Sequence, residues 1–148
     1  MTASPDRTST VADGCEVVAM ANTSKPITIL IAEDDSLVAA YLTELMAKLG
    51  FVTVGTAASG VEALALAAVT QPALALVDIG LLGPIDGVDL AVQLKAEYGI
   101  PAIFISGDFN PEIALRAQRA QPLGLVQKPF CPSELLNAIE RAEATIGG

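Results

Sequence analysis

Glu33, Asp34 and Asp35 stand in a row directly after the apolar run Ile27–Ala32. Asp78 ends a second apolar run, Ala73–Val77, while Ser106 follows Ala102–Ile105 and Lys128 comes after Leu123–Val126. Carboxylates gathered in one place repel and raise one another's pKa, so such a group calls for a cation. Oxygen-only ligands favour a hard ion, and Mg2+ with retained waters suits one or two carboxylates on a half-open rim. A carboxylate beside a divalent ion can attack phosphorus as a nucleophile. Asp78 is the strongest candidate, because a charge at the end of Ala73-Leu74-Ala75-Leu76-Val77 is costly without a partner or a task. Lys128 could grip a phosphoryl oxygen or pair with Asp78, and Pro129 biases it toward an extended backbone. Ser106 offers a hydroxyl, with Gly107 leaving room beside it. Each residue also has a plainer reading. The acidic row can solvate a loop, Asp35 can cap the helix that follows, Asp78 can simply end a strand, and a lone lysine or serine is common on a surface.

What could bring these residues together is the alternation along the chain from residue 27. Apolar, β-favouring runs at Ile27–Ala32, Phe51–Thr56, Ala73–Val77, Ala102–Ile105 and Leu123–Val126 alternate with helical patterns. The helical segments are Ser36–Leu49, Gly60–Thr70, Gly87–Tyr98, Pro111–Ala120 and Pro132–Thr145. The pattern predicts a doubly wound α/β fold, a five-stranded parallel sheet covered by five helices. In such a sheet the ligand site lies beyond the carboxyl ends of the strands, where all the residues above fall. The punctuation agrees. Gly50 suits a left-handed helix end, Ser59 with Glu62 suits a cap, and Asn110-Pro111-Glu112 reads as cap, first-turn proline and first-turn acid. Val38, Leu42, Leu45 and Leu49 share one helix face, as do Leu135, Leu136, Ile139 and Ala142; both stripes are assigned to core.

Bulk composition narrows the function. The eight Lys and Arg are scattered against seventeen Asp and Glu, a net charge of −9, so no basic face offers itself to nucleic acid. No apolar run approaches the ~20 residues of a spanning helix. Val17–Ala21 is too short for a secretory core, and a cytoplasmic location is expected. With no histidine and only Cys15 and Cys131, a zinc site is excluded and two free thiols are expected. Residues 1–26, rich in Ser, Thr, Ala, Asp and Pro, read as a flexible tail, with Met20 a second candidate for the first residue. Residues 27–148 form the domain. No linker into a second domain is visible.

Ile31-Ala32-Glu33-Asp34-Asp35, Leu76-Val77-Asp78-Ile79, Phe104-Ile105-Ser106-Gly107 and Gln127-Lys128-Pro129-Phe130, in that order and each at a strand end, resemble the receiver domain of two-component response regulators. The resemblance spans residues 27 to about 145 and is closest to the single-domain, chemotaxis-regulator-like type with a flavodoxin-like fold. It implies that Asp78 accepts a phosphoryl group from a phosphohistidine on a sensor histidine kinase or histidine phosphotransferase. It further implies Mg2+ held by Asp34, by Glu33 through water, by Asp78 and by the Gly80 carbonyl. Lys128 would contact the acyl phosphate, and Ser106 would bond the phosphoryl group and relay its presence. The chain would catalyse only its own phosphoryl acceptance and hydrolysis, and signal through a downstream protein or as a homodimer around the fourth and fifth helices. Two departures stand out. Leu125 occupies the position where many members carry an aromatic, and the stretch Ile79–Gly87 is one residue longer than usual, with Leu82 where proline is frequent. Gly80 and Asp108 fall at positions that tune hydrolysis in the family. The competing readings are a non-phosphorylated receiver-like scaffold and an aspartyl-nucleophile phosphatase. The phosphatase would need a second acid near the nucleophile, and Ile79-Gly80 supplies none.

Overall fold

A computed structural model describes residues 27–108 and 110–147. The segment read as a tail, with Cys15 and Met20, lies outside the described residues. The strands are β1 (Thr28–Ala32), β2 (Val52–Ala57), β3 (Leu74–Asp78), β4 (Ala102–Ser106) and β5 (Gly124–Gln127). The helices are α1 (Ser36–Lys48), α2 (Gly60–Thr70), α3 (Gly87–Tyr98), α4 (Pro111–Ala117) and α5 (Pro132–Gly147), with a 3-10 turn at Gln118–Ala120. All pairings are parallel, in the order β2-β1-β3-β4-β5. The expected architecture is therefore present. Winding reverses between β1 and β3, so a crevice opens between the ends of those two strands.

The strands are apolar on both faces because both faces are covered. Ile29, Ile31, Leu74, Leu76, Ile103 and Ile105 turn toward α1 and α5, where Leu42, Leu45, Leu49, Leu135, Ile139 and Ala142 meet them. The opposite face carries Leu30, Ala32, Ala75, Val77 and Phe104, packed on Ala63 and Ala67 of α2 and Val88, Ala91 and Leu94 of α3. Both helix stripes expected in the core lie there, with Val38 and Leu136 at its margin. No helix among the described residues is long and apolar enough to cross a membrane.

The caps form as the residue types suggested. Asp35 Oδ1 accepts from the Leu37 amide at 3.0 Å, Ser59 Oγ from Glu62 at 3.2 Å and Asn110 Oδ1 from Ile113 at 2.9 Å. Gly50 has a φ of +92°, the left-handed turn that ends α1. Two expectations need correction. The fourth helix does not run to Ala120 as one α-helix but tightens to a 3-10 turn after Ala117, because Pro122 bars Gln121 from a right-handed helix and Gln121 turns left-handed at φ 49°. Cys131 is not a free thiol, and Cys15 lies outside the described residues. An isolated cysteine carries no spacing signal that would announce this.

Candidate functional site

The strand ladders run one residue past several strands and align their ends. The Glu33 amide donates to the Ala57 carbonyl at 2.9 Å, the Ile79 amide to Ile105 at 3.0 Å, and the Lys128 amide to Ser106 at 2.8 Å. Backbone pairing thus sets Glu33, Asp78, Ser106 and Lys128 along one rim before any side chain interacts. Glu33, Asp34 and Asp78 each present a carboxylate oxygen, all within 4.8 Å of one another. Glu33 is buried, Asp78 half-buried and Asp34 exposed, so the cluster has a closed back and an open front.

Lys128 neutralises part of this charge. Its Nζ lies 3.2 Å from Glu33 Oε1 and 3.7 Å from Asp78 Oδ2. The expected approach of Lys128 to Asp78 is present, and Glu33 is the nearer partner. Asp78 uses its other oxygen, Oδ1, to accept the Gly80 amide at 2.9 Å. Burial pushes the Glu33 carboxyl above its ordinary range. The Asp35 amide, bonded to Glu33 Oε2 at 3.1 Å, pulls it down; the Asp78 charge pushes it up again, and Lys128 acts against that. Three hard oxygen donors and one ammonium in this space fit a divalent ion such as Mg2+ better than any soft metal.

The raised Glu33 pKa has a stability consequence. A carboxyl that holds its proton more tightly folded than unfolded loses folding stability as pH rises through the ordinary carboxyl range, near ~4.3 for Glu, and the penalty persists at neutral pH. In chelator at pH 7, Glu33→Gln is expected to melt a few degrees above wild type. The gain should shrink toward pH ~4 and vanish in saturating Mg2+. A lower melting temperature for the variant at pH 7 would refute this account.

Ser106 is buried, and its hydroxyl is engaged by the Asp108 backbone. Oγ accepts the Asp108 amide at 3.0 Å and donates to the Asp108 carbonyl at 3.4 Å. Gly80 sits beside Asp78, and the stretch after it is well anchored. Leu81 is buried and its amide donates to the Asp78 carbonyl at 3.1 Å, while Leu82 points into solvent. Leu125 on β5 is half exposed.

Comparison with known proteins places this rim. The family described as the response regulator receiver domain matches residues 29–140. The chain belongs to that family. It is 32% identical over 122 residues to the transcriptional regulatory protein PdtaR of Mycobacterium tuberculosis, covering 82% of this chain and 59% of that one. It is 36% identical over 115 residues to the phyllosphere-induced regulator PhyR of Methylorubrum extorquens, covering 77% and 42%. The receiver thus spans about half the length of these relatives. Among solved structures, the signal receiver domain of a modulated diguanylate cyclase from Desulfovibrio desulfuricans G20 superposes with a TM-score of 0.78 at 37% identity, covering 82% of this chain and 97% of that one. The receiver domain of NtrX from Brucella abortus gives 0.73 at 31%, covering 79% and 98%. Receiver domains bind Mg2+ at an acidic site and act with histidine kinases or phosphotransfer proteins. Among its described residues this receiver brings Glu33, Asp34 and Asp78 into one acidic cluster.

Sequence reasoning missed one feature of the rim. Arg116 on α4 places Nη2 at 3.0 Å from Asp86 Oδ2 and 3.8 Å from Asp89 Oδ1. Nothing in spacing or composition marks residues 30 apart in sequence as partners.

Proposed function

We propose that this receiver is a phosphorylation-activated switch in which Asp78 accepts a phosphoryl group from a phosphohistidine on a sensor histidine kinase or histidine phosphotransferase. The observation that carries the reading is the meeting of Glu33, Asp34, Asp78 and Lys128 at the ends of β1, β3 and β5. An Asp78 carboxylate oxygen attacks phosphorus, the phosphorus–nitrogen bond breaks, and the imidazole leaves with the electron pair. The product is an acyl phosphate, which water later hydrolyses. Phosphoryl transfer asks for positioning and for neutralisation of the phosphoryl oxygens. The Gly80 amide orients one Asp78 oxygen, and Lys128 lies near the other. Lys128 can move between Glu33 and an incoming phosphoryl oxygen, since both lie within its reach. Mg2+, held by Asp34, Asp78, the Gly80 carbonyl and Glu33 through water, would supply the remaining positive charge. The Ser106 hydroxyl can leave Asp108 for a phosphoryl oxygen and so relay the modification into the β4–α4 connection.

The receiver acts in the cytoplasm and passes its signal by protein contact, to a partner or to a second copy. The dispersed basic residues and a net charge of −9 speak against nucleic acid as a direct ligand. Intact-mass spectrometry after incubation with Mg2+ and a small phosphodonor, and then with phosphorylated kinases, tests the reading. One added phosphoryl group that requires Mg2+ is expected. No added mass under any of these donors would favour a scaffold that signals without phosphorylation.

A further inference from the structure

Helix α4 has little core to hold it. Of its seven residues only Ala117 is buried, Ile113 packs at the margin, and Leu115 is exposed. An element with so few apolar contacts belongs to the least stable part of a fold. Two polar ties hold it at opposite ends. At the entry, Ser106 Oγ bonds the Asp108 amide, just before the Asn110 cap. At the far end, Arg116 reaches across to the start of α3.

The second tie is built with some care. Asp86 caps α3 with one oxygen, accepting the Asp89 amide at 2.9 Å, and gives the other to Arg116 at 3.0 Å. Asp89 adds a second carboxylate at 3.8 Å. Burial alone would push the Asp86 carboxyl up, yet the Asp89 amide and the Arg116 guanidinium outweigh it and hold it below its ordinary range. Asp86 closes the stretch that begins at Asp78, and that stretch is anchored at Leu81 and at its two ends. Leu81 is buried, Gly60 sits against the Ile85 carbonyl, and Gly87 sits against the Asp78 carbonyl. Arg116 therefore fastens a weakly packed helix to a rigid frame.

We propose that Arg116 is a positioning residue: its clasp on Asp86 and Asp89 holds α4 in the resting place and opposes the rearrangement by which the receiver registers a phosphoryl group on Asp78. This rests on Asp78 being the acceptor. When the Ser106 hydroxyl turns to a phosphoryl oxygen, the Asp108 amide loses its partner and the entry to α4 is freed. The clasp then still keeps α4 against α3, with the Lys95 Nζ bond to Gln121 Oε1 at 2.7 Å holding the end of the 3-10 turn beyond it. On this proposal the clasp belongs to the resting state, so removing it shifts the population toward the active one and eases phosphoryl acceptance.

The test uses Arg116→Met, which keeps the stem, Asp86→Asn, which keeps a good cap, the double variant, and Arg116→Lys. Initial rates of phosphoryl addition from a small donor with Mg2+ are read by intact mass, and amide exchange of residues 110–117 is read in the same unmodified samples. Arg116→Met and Asp86→Asn should each accept phosphate about two- to five-fold faster, the range a part-exposed ion pair supports. The double variant should be no faster than Arg116→Met, Arg116→Lys should fall between that variant and wild type, and α4 should exchange faster in both single variants. A purely structural role would lower the melting temperature without quickening acceptance. Rates at or below wild type, or additive gains in the double variant, overturn the proposal. If no variant gains mass from the small donor, phosphorylated kinases replace it; if these also fail, Asp78 as acceptor fails, and exchange still decides the clasp: unchanged α4 exchange overturns it.

Discussion

Asp78→Asn should leave a folded receiver that gains no phosphoryl group from any donor, the fall being to background. The substitution changes almost nothing but the chemistry. The Asn side-chain oxygen can still accept the Gly80 amide that Asp78 Oδ1 accepts now at 2.9 Å. What is lost is the anionic oxygen near Lys128 that would attack phosphorus. The same substitution removes one of the charges that push the Glu33 carboxyl up. The metal-free variant should therefore melt at or above the wild-type temperature at pH 7 while being inert. Loss of activity together with gained stability marks a residue placed for function against the interest of the fold. Intact mass and thermal melting in chelator check the two halves. Mass gained by Asp78→Asn would move the acceptor to another carboxylate of the rim.

Gly87→Ala is expected to cost folding stability, although helix propensity alone favours the change by about 1 kcal/mol. Gly87 opens α3 and lies directly against the strand end that carries Asp78. A Cβ there would meet the Asp78 carbonyl oxygen, the Ile79 Cα at 2.8 Å and the Ile79 carbonyl carbon at 3.0 Å. These are backbone atoms and cannot rotate aside. The Asp78 carbonyl is also the acceptor for the Leu81 amide, so moving it disturbs the turn beside the acidic site. Overpacking of this kind costs about 1–3 kcal/mol and more where nothing can yield, which overrides propensity. A lower urea midpoint with an unchanged slope, together with weaker Mg2+ binding, is the expected outcome. A midpoint at or above wild type would show that α3 can part from β3 without loss.

The two departures from the usual receiver pattern bear differently on function. In the stretch after Asp78, Leu81, Ile85 and Gly87 are anchored, while the tip, with Leu82 exposed and Gly83 left-handed at φ 117°, faces solvent. Leu125 is the more consequential change. It stands half exposed at the sheet edge, and under the proposal above the Arg116 clasp is the restraint on α4.

Which elements form, and which residues end them, was legible in the linear chain. Apolar runs of strand length, helical stripes such as Leu42, Leu45 and Leu49, and caps at Asp35, Ser59 and Asn110 are local properties, settled within a few residues. So too was the rim: in a parallel α/β sheet every strand end points the same way, and a reader of strand ends finds Glu33, Asp34, Asp78, Ser106 and Lys128 without knowing the strand order. Tertiary structure decided what no local rule contains. It placed β1 beside β3, so that Glu33 and Asp34 face Asp78. It gave Lys128 to Glu33, a partner 95 residues away, more closely than to Asp78. It turned the Ser106 hydroxyl to Asp108 and joined Arg116 to Asp86 across two helices. These are choices among charged and polar groups of similar chemistry, and only distance in the folded chain can make them.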